Sequence, residues 1–104
     1  KAKYNLLLEL MMPITKSYPA EAGIDSCNAA VQVLGGYGFC TEYIPQMYLR
    51  DIRIMAIYEG TTGIQSLDLL GRKIPMDNGK ALQLLAGEMM QSIQAAINFD
   101  ELKK

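Results

Sequence analysis

The sequence contains no histidine among its 104 residues, no tryptophan and two cysteines. Without histidine, the chain cannot build a Ser–His or Cys–His nucleophile system, or a histidine-based zinc site, from its own residues. Cys27 and Cys40 lack metal-ligand spacing, so we expect no metal site. We expect reduced, partly buried thiols, typical of a cytoplasmic protein, with a disulfide as the alternative. Carboxylates, lysines, tyrosines and lone thiols remain as acid–base candidates.

The sequence also has no large excess of positive or negative charge and no long apolar run. The net charge is −1 with acids and bases interspersed, so a nucleic-acid partner is not expected. The longest apolar runs are far shorter than the about 20 residues of a membrane span, and no signal-peptide pattern is present. Half of the residues are nevertheless hydrophobic, and the chain opens without methionine on a helical pattern. We therefore expect a piece of a longer protein, with apolar surface that missing domains or other subunits cover.

Apolar residues recur at spacings of three and four along most of the chain, which predicts helices. Nothing alternates with period two for long enough to predict a strand. The sequence thus predicts an all-α fold, an antiparallel bundle of about four to five helices. We expect helices over residues 1–18, 20–34, 45–59, from after Gly60 to Ile74, and 79–99, with breaks at Tyr18–Pro19, Gly35–Gly36, Gly60 and residues 75–80.

Some local signals add detail to these helices. Pro13 should kink or interrupt the first helix. Small residues between Ala20 and Ala30 should let a neighbouring helix approach closely. Thr62 and Gln65 have the spacing of a capping box. The glycine-rich turn at residues 35–39 is either a plain connection or a place where backbone approaches a ligand.

Glu59 is the carboxylate with the most unusual sequence surroundings. An apolar, helix-like run beginning at Ile52 carries it to its end, and Gly60 breaks the run. We expect partial desolvation there, which disfavours the charged form and raises a carboxyl pKa towards the range of a general base. A helix C-terminus is also electrostatically unfavourable for an acid. The alternative is an ordinary solvated residue at a helix end.

Thr61 and Thr62 begin the next predicted helix. Free backbone N–H groups at such a position favour a phosphate or an electron-rich ring oxygen. Plain capping explains the two threonines equally well. If a ligand binds at this junction, one pocket could use both the Glu59 base and the threonine turn.

The sequence contains, in this order, the segments QVLGGYGF, YLRDIRI and YEGTTGIQ. In their order and spacing, these segments resemble the C-terminal helical domain of the acyl-CoA dehydrogenases. The resemblance covers roughly Leu7 to Ile74. It implies that residues 1–75 form that domain. The longer match through residue 75 resembles a subgroup with an extra helical domain, which implies that residues 76–104 begin a C-terminal extension.

The resemblance implies a role for each matching residue. Glu59 would remove the α-proton of a fatty acyl thioester while a hydride leaves the β-carbon for flavin, with Tyr58 and Gly60 in contact with the substrate. Thr61, Thr62 and Gly63 would form a segment near the flavin, although family members often carry a larger polar residue at position 63. The adenine-nucleotide end of a flavin held by a neighbouring subunit would meet Gln32, Val33, Leu34, Gly35 and Gly36. Arg50 and Asp51 match a pair that we regard as structural.

The resemblance also implies the partners. FAD would be the cofactor, acyl-CoA the substrate, and electron-transfer flavoprotein or a similar carrier the electron acceptor. The family's N-terminal helical and middle β-domains contribute to flavin and acyl-CoA binding, so we expect the chain alone to be inactive and the whole protein to be a homo-oligomer. The competing hypothesis is a non-catalytic helical module for oligomerisation or interaction, in which Glu59 has no chemical role.

Overall fold

The computed structural model describes residues 1–97 and 99. Within them the fold is all-α, as predicted, without a strand. The four α-helices are α1 (Ala2–Val33), α2 (Pro45–Arg53), α3 (Thr62–Asp68) and α4 (Met76–Ala96). Shorter elements are 3₁₀ turns at Gly35–Phe39 and Ile54–Ala56 and a π-helical turn at Leu69–Lys73. Part of the predicted extension, residues 98 and 100–104, lies outside the described residues.

The first two predicted helices are one helix. α1 has 32 residues, which gives a length of about 48 Å at 1.5 Å per residue. Pro13 and Pro19 both lie inside it, so the break predicted at Tyr18–Pro19 is wrong. A proline in a helix interior costs about 3 kcal/mol. Helical stability in proteins comes mostly from tertiary packing, and α1 packs against every other helix, which can offset this cost.

α1 is the common packing partner of the fold. All three later α-helices and all three short turns contact it. The approach of α2 is close: a Cβ atom added to Gly23 would lie 2.3 Å from Ile52 Cδ1. The predicted small-residue surface of the second helical segment therefore does admit a neighbouring helix.

Three other boundaries test the predictions. α1 ends at Val33, and Gly35 follows with a φ of 59°, so the predicted glycine cap is confirmed. Asp77, Asn78 and Gly79 also adopt left-handed dihedral angles, which produces a turn within predicted residues 75–80. The helix predicted over 45–59 is too long, because α2 ends at Arg53 and a 3₁₀ turn follows.

The hydrophobic core is small for a chain of this length. The buried apolar side chains among the described residues are Leu10, Pro13, Ala20, Ala56 and Ala81. The accessible surface of 8030 Å² exceeds by about 2,200 Å² the value that size scaling gives for a compact folded monomer. The radius of gyration is 19.0 Å, against about 13 Å for a compact domain of this length. Among the described residues, no helix combines the length and apolarity that crossing a membrane requires.

Candidate functional site

Glu59 lies on a turn between the Ile54–Ala56 segment and α3. It adopts a φ of 53°, and Gly60 follows at 92°. Two consecutive left-handed residues reverse the chain direction, and for a residue with a side chain this conformation costs roughly 1–2 kcal/mol. The prediction that Glu59 ends a helix is thus wrong, and the electrostatic cost of a helix C-terminus does not apply to it.

The Glu59 side chain is exposed and borders two grooves. One, of about 550 Å³, lies between α1 and the α3 segment. The other, of about 270 Å³, lies between α1 and the α2 side and is lined by Ile52, Met55 and Tyr58 among others. The described residues alone do not provide the dry surroundings that the sequence predicted for this carboxylate. Such surroundings require a covering surface over the grooves.

Two side chains hold the backbone of this turn. Lys16 on α1 donates from Nζ to the carbonyl oxygen of Gly60 at 2.5 Å. Gln65 on α3 donates from Nε2 to the carbonyl oxygen of Glu59 at 3.0 Å. The sequence analysis assigned no role to Lys16. Since Lys16 precedes Gly60 by 44 residues, no local pattern could have revealed this contact.

The residues on either side of Glu59 also contribute to the turn. The Tyr58 ring is half-exposed, and Lys16 Nζ lies 6.0 Å from its centroid. Position 60 favours glycine because its φ of 92° is a conformation that residues with a side chain rarely adopt. A Cβ atom there would also lie 2.8 Å from Gln65 Nε2, so the Gln65 side chain would have to shift. Both predicted substrate-contact residues, Tyr58 and Gly60, thus flank the candidate base.

The two threonines are engaged within the protein. The Thr61 hydroxyl accepts a hydrogen bond from the backbone N–H of Ile64, so Thr61 rather than Thr62 caps α3. Thr62 donates from its hydroxyl to the Glu21 carboxylate. A carboxylate at the start of α3 repels a phosphate, so these contacts favour capping over the predicted anion-binding turn. Thr61 and Gly63 remain exposed on the surface beside Glu59.

The other predicted cofactor segment lies elsewhere. All five residues of this segment are exposed, at the end of α1 and in the turn after it: Gln32, Val33, Leu34, Gly35 and Gly36. Gln32 comes eleven residues after Glu21, the partner of Thr62, which places it about 16 Å further along α1. The structure therefore groups Tyr58–Gly63 at one site and residues 32–36 at a second one.

The two cysteines are not joined by a disulfide bond. Cys27 is half-buried and Cys40 is exposed, and both are free. The prediction of free thiols is confirmed, whereas partial burial is wrong for Cys40. Among residues 1–97 and 99, no group of three or more Cys, Asp or Glu side chains is placed to hold a metal ion.

Comparison with known proteins identifies the family. The profile described as "Acyl-CoA dehydrogenase, C-terminal domain" matches residues 5–74. A broad-specificity linear acyl-CoA dehydrogenase of Mycobacterium tuberculosis is 36% identical over 95 residues, which are 91% of this chain and 16% of that protein. The 3-methylmercaptopropionyl-CoA dehydrogenase of Ruegeria pomeroyi is 36% identical over 98 residues, 94% of this chain and 16% of its own length.

A third relative is more similar over a shorter stretch. A butyryl-CoA dehydrogenase of Syntrophomonas wolfei is 40% identical over 77 residues, 74% of this chain and 13% of that protein. The chain spans about one sixth of the length of the first two relatives. The family match covers most of the chain and includes the Glu59 turn. The chain belongs to the acyl-CoA dehydrogenase family, of which it contains the C-terminal helical domain.

Proposed function

We propose that this chain is the catalytic-base domain of an FAD-dependent acyl-CoA dehydrogenase and that Glu59 is the base. The observation that carries the proposal is the Glu59–Gly60 turn. It presents an exposed carboxylate between two grooves, on backbone held from α1 and α3. Strained backbone that its surroundings maintain is typical of functional sites.

The proposed reaction oxidises acyl-CoA to 2-enoyl-CoA. The Glu59 carboxylate takes the α-proton, and the electron pair of that C–H bond forms the α,β double bond. The β-hydrogen leaves as a hydride with its electron pair, so the thioester is oxidised by two electrons. When bound, FAD supplies the acceptor for this hydride. Glu59 ends the step protonated and later releases its proton to solvent.

The residues of this chain fit a flavin in two places. Thr61 and Gly63 are exposed next to Glu59, where a ring could lie against the turn. At the second site, a Cβ atom added to Gly35 or Gly36 would meet nothing within 4 Å, so backbone is open to a ligand there. The two places lie about 16 Å apart along α1, and the family resemblance assigns the second one to a flavin held by a neighbouring subunit.

The proposed partners follow from the same assignment. Acyl-CoA is the substrate, electron-transfer flavoprotein or a similar carrier is the acceptor, and the assembled protein is a cytoplasmic homo-oligomer. The grooves beside Glu59 are open, so a covering domain must exclude water before the base is effective. We therefore propose that the chain alone is inactive. The division into a domain of residues 1–75 and an extension over 76–104 also remains a prediction.

The test replaces Glu59 with Gln in the complete flavoprotein. Glu59→Gln should abolish most acyl-CoA oxidation while flavin content and acyl-CoA binding persist. Glu42→Gln, which neutralises another exposed carboxylate, is the matched control and should retain activity. Normal turnover by Glu59→Gln would contradict the proposal.

The alternative, a non-catalytic interaction module, is favoured by one observation. Large apolar side chains are exposed over much of the surface, among them Val33, Phe39 and Leu67. Such a surface is typical of protein–protein contacts. It suits a domain of a larger enzyme equally well, so the Glu59 variant separates the two hypotheses.

A further inference from the structure

Side chains from two different helices donate hydrogen bonds to the turn that carries Glu59. Gln65 contacts the Glu59 carbonyl from α3, which follows the turn directly. Lys16 contacts the Gly60 carbonyl from the middle of α1. The two carbonyl groups that flank the reversal are therefore both fixed by side-chain donors.

The two hydrogen bonds constrain different features of the turn. Gln65 is six residues from Glu59, so its hydrogen bond stabilises the shape of the local reversal. Lys16 is 44 residues from Gly60, and its contact sets where the turn lies relative to α1. Helix α1 also borders both grooves next to Glu59, through Lys16 itself. Lys16 thus links the backbone next to Glu59 to the helix that borders both grooves.

The lysine also contacts the residue before the base. Its Nζ lies 6.0 Å from the Tyr58 ring centroid, within the range of a cation–π interaction. Lys16 is half-buried, which limits the alternative positions of its ammonium group. One side chain therefore donates a hydrogen bond to the residue after Glu59 and lies at the outer limit of cation–π distance from the residue before it.

We infer that Lys16 is a positioning residue for Glu59: its contacts with the Gly60 carbonyl and the Tyr58 ring hold the carboxylate at its working position. The inference rests on the proposed function, since it assumes that Glu59 is the base. A displacement of about 1 Å at a reacting group can cost about 100-fold in rate. Removal of the ammonium should therefore lower the rate of proton abstraction without removing the base itself.

The test uses Lys16→Met in the complete flavoprotein, with Lys16→Arg as the conservative variant. Lys16→Met should lower kcat by about 10- to 100-fold at unchanged flavin content. The isotope effect with α-deuterated acyl-CoA should rise, because proton abstraction becomes rate-limiting. Lys16→Arg keeps a positive charge and N–H donors and should recover most of the activity. Lys3→Met, which removes another α1 ammonium, is the control and should leave kcat unchanged.

A double variant separates positioning from general structural damage. If Lys16 acts through Glu59, Lys16→Met should cause little further loss in the Glu59→Gln background. An equal additional loss there, or full kcat in the single variant, would overturn the inference. If Lys16→Met fails to fold, Lys16→Gln, whose shorter and uncharged side chain also removes the ammonium, should show the same raised isotope effect, and full kcat with an unchanged isotope effect would overturn the inference. Full activity of Glu59→Gln would instead refute the proposed function.

Discussion

Lys73 Nζ lies 3.0 Å from Glu9 Oε2, which joins the π-helical turn after α3 to the first third of α1. The two partners differ in environment: the Lys73 side chain is 10% exposed, whereas that of Glu9 is 51% exposed. Lys73 is the one buried charged residue among those that the structure describes. Its ammonium therefore depends on Glu9, while Glu9 can be hydrated without it.

This asymmetry predicts unequal effects of two neutralising substitutions. Glu9→Gln leaves a buried ammonium without its counter-charge and should lower the free energy of unfolding by about 1–3 kcal/mol. Lys73→Met fills the same space with an apolar side chain and should cost less. Urea denaturation followed by circular dichroism measures both. Equal losses would contradict the burial-based explanation.

Gly60 should not tolerate alanine. At a φ of 92°, with Gln65 Nε2 at 2.8 Å from the added Cβ, Gly60→Ala should lower stability by about 1–3 kcal/mol and displace Glu59. The matched control is Gly87→Ala in α4, where the added Cβ meets nothing within 4 Å. That change should stabilise the protein by about 0.5–1 kcal/mol. Thermal unfolding compares them, and a stabilising Gly60→Ala would show that the turn is not strained.

The contact between Lys3 on α1 and Glu88 on α4 should have a pH-dependent effect. The hydrogen bond with Glu88 raises the pKa of Lys3, and the charge of Glu88 adds to the shift. A raised pKa in the folded state stabilises the protein fully below the unfolded pKa of lysine. The stabilisation is lost as pH rises through the folded pKa.

The measurement is the melting-temperature difference between wild type and Lys3→Met as a function of pH. The difference should be small, because the pair is at the surface, and should shrink at strongly alkaline pH and at high salt. A difference that widens with rising pH would contradict the assigned contact.

The isolated chain should self-associate. Its surface exceeds that of a compact monomer by about 2,200 Å², more than a standard protein–protein interface buries in total. We expect oligomers or aggregates in sedimentation velocity at micromolar concentration. A monodisperse, highly soluble monomer would show that these exposed apolar faces need no partner.

The all-α class and the glycine boundaries were predictable because the spacing of apolar residues and the positions of glycines are local features of the sequence. The continuity of α1 through Pro19 was not predictable, because the packing that stabilises it comes from helices much later in the chain. The early end of α2 at Arg53 was missed for a related reason. Of the apolar residues that suggest helix up to Tyr58, Ile54–Ala56 adopt a 3₁₀ turn, and Ile57 and Tyr58 lie in the turn that follows.

The candidate site was predictable in part. The sequence singled out Glu59, Gly60 and the threonines, because a carboxylate beside a glycine at an element junction is visible locally. The spacing of Thr62 and Gln65 suggested a capping box, but Thr61 is the cap and Gln65 instead reaches the Glu59 carbonyl. Contacts with Lys16 and Glu21 depend on how α1 lies against the turn, which no local pattern encodes.

The most direct test of the central claim is anaerobic single-turnover reduction of flavin by acyl-CoA in the complete protein carrying Glu59→Gln. Loss of flavin absorbance reports the chemical step alone, separately from electron transfer to the acceptor. If Glu59 is the base, the rate should fall by about 100- to 10,000-fold, the usual contribution of a positioned general base. Flavin reduction at the wild-type rate would contradict the assignment of Glu59 and, with it, the proposed role of this domain.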